Sequence, residues 1–177
     1  MDMPAKNIDQ EFLKSISDIL EQARQRAKTA VNLSMVYAYY AIGQRIVEEE
    51  QHGKDRAAYG GQLLKVLSQH LTQNYGKGYS VDNLKLMRKF YLVYSQEQIG
   101  ETLFPQFKNL PSVSTGRKFF LSWSHYLKLM RIDNINERHF YEIEAAKNNW
   151  SLAELKRQYD SSFYERVALS TDKDKVY

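Results

Sequence analysis

Cysteine is absent from the 177 residues. That absence removes disulfides, thiol nucleophiles and cysteine-ligated zinc together. It fits a reducing compartment, and a soluble cytoplasmic protein is the expectation. Proline is scarce, with three residues at 4, 105 and 111, so long stretches are open to helix. No apolar run approaches the ~20 residues of a membrane span. The opening MDMPAKNIDQEF lacks the apolar segment of a secretory signal. No membrane partner is expected. Charge of one sign is also in short supply: 25 Lys and Arg face 21 Asp and Glu, a net of +4. A surface for a polyanion would therefore have to be local. The four histidines, at 52, 70, 125 and 139, show neither His-x-x-x-His nor His-Glu-x-x-His spacing, which argues against a metal site. No cofactor is expected.

What is present is helical material. Hydrophobic residues make up 43% of the chain, enough for a folded core. From Phe12 to Ile46 apolar residues keep close to a helical period, with Gly43 the lone glycine. One helix over 9–50 would be about 60 Å long. A break is expected, with Thr29–Ser34 as its place, or else a protruding arm that pairs with another copy. Tyr37, Tyr39 and Tyr40 are too aromatic for a solvated face and read as core.

The chain turns on residues 59–94. Leu63, Leu64, Val66, Leu67 and Leu71 mark one helix. Asn74-Tyr75-Gly76-Lys77-Gly78 breaks it, the glycines supplying positive φ. Ser80 is placed to cap the next helix, with Tyr79 and Leu84 as its hydrophobic staple. Leu84, Met87, Tyr91 and Tyr94 form an apolar stripe, leaving Asn83, Lys85, Arg88 and Lys89 on or beside the open face. A helix, a glycine turn and a cationic second helix outline a helix-turn-helix. The plainer alternative is a packing hairpin with a solvated basic face.

Residues 95–120 are irregular, and Arg117–Leu121 has the look of a short strand. A small β-hairpin near 104–121 is one reading, an interlobe linker the other. Beyond Leu121 helices resume: one from Trp123-Ser124, one over 137–148 capped by Asn134 or Asn136, and a last one from Ser151 with stripe Leu155, Tyr159, Phe163 and Val167. The fold class is all-α. The expected organisation is an N-terminal arm and helix-turn-helix lobe over 1–100, a basic connector over 101–120, and a C-terminal helical lobe over 121–168. A tail, 169–177, follows, and the whole forms one structural unit.

Catalytic constellations are weak. A Ser–His pair from Ser122 or Ser124 with His125 is thinkable, but the serines are too close in sequence to His125 to read as a triad and no Gly-x-Ser-x-Gly elbow exists. The expected role of Ser124 is a helix cap, with Trp123 anchored in the core and His125 and Tyr126 as polar partners at a lobe interface. Glu154-Leu155-Lys156 has the Glu-x-Lys spacing of a magnesium nuclease, yet it falls in a helix, where residues two apart diverge. Gly76-Lys77-Gly78 is too short for a phosphate loop. Electrostatics is the stronger signal. Residues 81–131 hold eight Lys and Arg against three Asp and Glu, the asymmetry a phosphate-facing surface requires.

Ala41-Ile-Gly-Gln-Arg-Ile46, Tyr59-Gly60, Leu67-Ser-Gln-His-Leu71, Tyr75-Gly-Lys-Gly-Tyr-Ser80, Asn83-Leu84, Met87-Arg-Lys-Phe-Tyr91, Leu121-Ser-Trp-Ser-His-Tyr126, Phe140-Tyr141, Glu144-Ala145, Trp150-Ser151 and Tyr164-Glu165-Arg166 together resemble the N-terminal domain of the YhcG family. The resemblance runs from about residue 20 to 170. It implies a helical, winged-helix-like domain that binds DNA and that precedes a PD-(D/E)XK nuclease domain in family members, often beside restriction–modification systems. This sequence stops where the connection to that nuclease would begin, so no catalytic residue is carried over and the chain is expected not to be an enzyme. The expected partner is double-stranded DNA. Lys77, Lys85, Lys89, Arg117 and Lys118 would contact phosphates, Ser80 and the amides beside it would hold another, and Asn83 and Arg88 would lie nearest the bases. A C-terminal nuclease domain, a restriction-complex subunit or a second copy are the other expected partners. The competing reading is a docking or dimerisation module that assembles such a complex without touching DNA.

Overall fold

A computed structural model describes residues 9–52, 56–95 and 118–173. The described chain is all-α, in seven helices without a strand. These are α1 (Gln10–His52), α2 (Arg56–Tyr75), α3 (Val81–Tyr94), α4 (Trp123–Leu129), α5 (Ile135–Lys147), α6 (Leu152–Asp160) and α7 (Phe163–Lys173).

α1 is continuous over 43 residues, about 65 Å. Of the two expectations, the protruding arm occurs, as the exposed N-terminal half of α1, and the break at Thr29–Ser34 does not. That stretch has no Pro or Gly, and Thr, Asn and Ser are only mildly unfavourable in a helix interior. Its two halves differ sharply. Residues 10–32 are all exposed, whereas Val36, Tyr37, Tyr40, Gly43, Ile46 and Val47 are buried. The second half packs along α3, the most extensive helix pairing among the described residues. Gly43 makes that pairing possible: a Cβ there would overlap the backbone carbonyl of Met87. Gly60 and Gly61, the more conspicuous pair, are not in such a crossing. A Cβ on Gly60 would meet only the Glu50 side chain, and one on Gly61 would meet nothing.

α2 is a lighter partner. Leu64 is its one buried leucine, and Val66 is 56% exposed. Leu64 joins Ile46, Leu84 and Met87 in a small cluster with Leu67, Leu71 and Tyr79 at its edge. The main core is aromatic and runs from α1 through α3 to α6. Tyr40, Phe90, Tyr94, Phe119, Tyr126 and Tyr141 are fully buried in it. Phe90 lies at its centre, with ring contacts to Tyr40, Phe119, Trp123 and Tyr126 at 5.0–5.7 Å. Phe90 thus belongs to the buried stripe of α3, and Tyr91 is only half-buried. Hydroxyls inside the core are used as fixed points: Tyr37 accepts the Phe119 amide at 3.0 Å, and Tyr126 accepts that of Phe120 while donating to Glu142.

Two corrections concern the C-terminal helices. Ser122, not Ser124, is the N-cap residue of α4. The single helix expected after Ser151 is two helices, because Ser162 adopts φ 53° and turns the chain between α6 and α7. Residues 118–121 form no strand, and the rest of the expected β-hairpin lies outside the described residues.

Candidate nucleic-acid interface

The turn before α3 is built as its residues require. Gly76 and Gly78 take φ of 83° and 118°, open to glycine and strained for other residues. Ser80 is extended and its Oγ accepts the Asn83 amide at 3.3 Å. The Asn83 side chain turns back, its Nδ2 donating to the Gly78 carbonyl at 3.0 Å. Cap and turn therefore hold each other. Asn83, expected near the bases, has its amide nitrogen engaged in this lock.

Burial of Leu84, Met87, Phe90 and Tyr94 leaves Asp82, Lys85, Lys89 and Leu92 exposed along the opposite side of α3. Lys85 Nζ lies 3.3 Å from Asp82 Oδ1, and the two side chains are 60% and 88% exposed. An i,i+3 pair so open to water is worth a few tenths of a kcal/mol, about, and leaves the ammonium available. Lys89 is exposed and forms no ion pair with any described residue. Lys77 is exposed in the turn. Arg88 differs: its Nε meets Glu50 Oε2 at 2.5 Å, tying α3 to α1, with the Glu50 side chain 16% exposed. Lys118 is half-buried at the entry to the C-terminal half. Arg117 lies outside the described residues.

A second basic feature lies between α4 and α6. Lys128, Arg131 and Lys156 line a cleft of about 190 Å³ together with Ser124, and no carboxylate lines it. Lys128 Nζ sits 3.7 Å from the centre of the Tyr159 ring, a cation–π placement that orders the side chain. The sequence singles out Lys156 only by its spacing to Glu154. Its proximity to Lys128 and Arg131 depends on how α6 docks, which no local pattern encodes.

Ser122 and His125 do meet, Oγ to Nδ1 at 2.7 Å. His125 is buried and its Nε2 donates to the Trp150 carbonyl at 2.9 Å. Burial holds its pKa below the ordinary imidazole value, partly offset by backbone contacts at Trp150 and Ser151. Nε2 thus fastens α4 to the α5–α6 junction, while Nδ1 is spent on Ser122 at the start of α4 itself. Glu154 is bonded to Arg157 and Gln158, each at 2.7 Å. Among the described residues no group of His, Asp and Glu is disposed to hold a metal, and no helix is long and apolar enough to cross a membrane.

Comparison with known proteins identifies a family. The DUF1016 N-terminal domain matches residues 15–166. An Escherichia coli (strain K12) protein named "Putative nuclease YhcG" is 38% identical over 180 residues, covering 93% of this chain and 48% of that protein. The chain thus spans about half the length of this relative. No solved structure matches it.

Proposed function

The chain belongs to the DUF1016 N-terminal domain family, and from that premise we propose that it is the duplex-DNA-binding module of a nuclease. Its similarity to half of the protein named "Putative nuclease YhcG" supports the association with nuclease activity. The observation that carries the DNA reading is the pair Lys85 and Lys89, exposed on a capped helix whose other side is locked into the core. Such a helix presents cations at fixed spacing with little ordering left to occur on binding. Lys77 extends the row into the turn. The Ser80 end of α3 adds the partial positive charge of a helix N-terminus, which favours a phosphate oxygen. Arg88, its side chain 42% exposed, lies beside this surface and is tied to Glu50 of α1.

The module holds DNA and the chemistry belongs to other residues. Phosphate contacts give affinity and register, not sequence preference. Binding should weaken steeply with salt, by roughly 0.9 decades of affinity per decade of salt for each phosphate neutralised. Replacing Lys85 and Lys89 together by Gln should lower duplex affinity and reduce that slope by about two. Fluorescence anisotropy with a labelled duplex across a salt series measures both. An unchanged slope would remove the two lysines from the interface.

A further inference from the structure

Residues 10–32 of α1 project from the fold with every side chain exposed. A solvated helix should be polar all round, yet Leu13, Ile16 and Leu20 are 43–55% exposed here. The spacing is that of a coiled-coil seam. Leu13, Ile16, Leu20, Ala23, Ala27 and Ala30 alternate steps of three and four, the a and d positions of successive heptads. Two polarities run along this seam. Its first half is bulky and its second half is alanine. Its charge is divided in the same way: Asp9, Glu11, Asp18 and Glu21 outnumber Lys14, whereas Arg24, Arg26 and Lys28 have no acidic residue among them or after them until Glu48.

We propose that this arm pairs with the arm of a second copy of the chain, antiparallel, about a two-fold axis between Glu21 and Gln22. In that register Leu13 faces Ala30 of the other copy, Ile16 faces Ala27, and Leu20 faces Ala23. Each layer sets one large side chain against one small one, so the seam has even thickness throughout. A parallel pair would stack three bulky layers and then three alanine layers, splaying one end as the other closed. Charge decides the same way. Antiparallel arms lay the acidic stretch of one beside the basic stretch of the other, at interhelical distances of about 8–10 Å, within the Debye length of about 8 Å or close to it. Parallel arms would align like with like. Burying the seam also removes the apolar stripe from water, a gain that a lone projecting helix forgoes. The two folded regions would then sit at opposite ends of a two-helix rod, separated by the 23-residue arm, about 35 Å. This interface goes beyond the DNA reading and involves none of its residues.

The absence of cysteine makes the test clean. Ile16→Cys and Ala27→Cys are made separately in the full chain, then oxidised alone and as an equimolar mixture, without DNA. The mixture is expected to form its 16-to-27 disulfide dimer at least tenfold faster than either variant self-links. Sedimentation equilibrium at tens of micromolar should give a dimer for the unaltered chain. A Leu20→Glu chain should sediment as a monomer, with near-ultraviolet circular dichroism of the aromatic core unchanged. A monomer for the unaltered chain at all concentrations would overturn the proposal. Rapid self-linking of Ile16→Cys would do so too, since it reports parallel arms, as would a dimer that gives no 16-to-27 product.

Discussion

Asn83 and Arg88 show how a polar side chain beside a helix face can hold the fold together. Both were placed beside a helix face where polar groups read as available to DNA. In the fold, Asn83 closes the turn on Gly78 and Arg88 joins α3 to Glu50 of α1. A single sequence carries the capping pattern of Ser80 but not the 38-residue separation of Arg88 and Glu50, so the cap was readable and the ion pair was not. His125 is a similar case. The sequence suggests a polar partner at a lobe interface, which its bond to Trp150 supplies, but not which residue that partner is. Because burial depresses its pKa in the fold, protonation favours the unfolded chain. Its contribution should be complete above the free imidazole value near pH 6.5 and fall as pH drops through the lower folded value. Urea unfolding at pH 7.5 and pH 5 should therefore show a smaller pH-dependent loss in His125→Gln than in the unaltered chain. Equal losses in the two would assign the effect to other groups.

Among the elements, α3 and its turn are the most legible, and of the two readings open for α1, a break or a protruding arm, the helix takes the second. Apolar spacing and the Gly76–Ser80 signal located α3, since capping and positive φ are local demands. Ser80→Ala should cost about 1 kcal/mol by urea titration. The sequence leaves the continuity of α1 open between a break and an arm, because it rests on the absence of a breaker and not on a positive signal. Its crossing with α3 depends on Gly43, which sequence alone presents as one glycine in a helix. Gly43→Ala, ordinarily favourable in a helix, should here destabilise by about 1–3 kcal/mol through overpacking. A neutral or stabilising effect on the unfolding midpoint would show that the two helices do not approach so closely. The split between α6 and α7 was missed because Ser162 gives no cue to positive φ.

For the molecule as a whole, the all-α class followed from sparse proline and long helical periodicity, and family membership followed from motifs spread over most of the chain. The arrangement of charge did not. The middle segment is rich in Lys and Arg, yet folding sorts these into separate groups: Lys77, Lys85 and Lys89 on the turn and α3, Arg88 committed to Glu50, and Lys128 and Arg131 joined by Lys156 in another cleft. Which of these surfaces meets DNA is the point on which the proposed function turns. Amide chemical-shift mapping of the chain titrated with a short duplex measures it most directly. The largest shifts should fall between Lys77 and Lys89, centred on the Ser80 cap and the outer side of α3. Shifts confined to α4 and α6, to the arm, or to none of these residues would contradict the account.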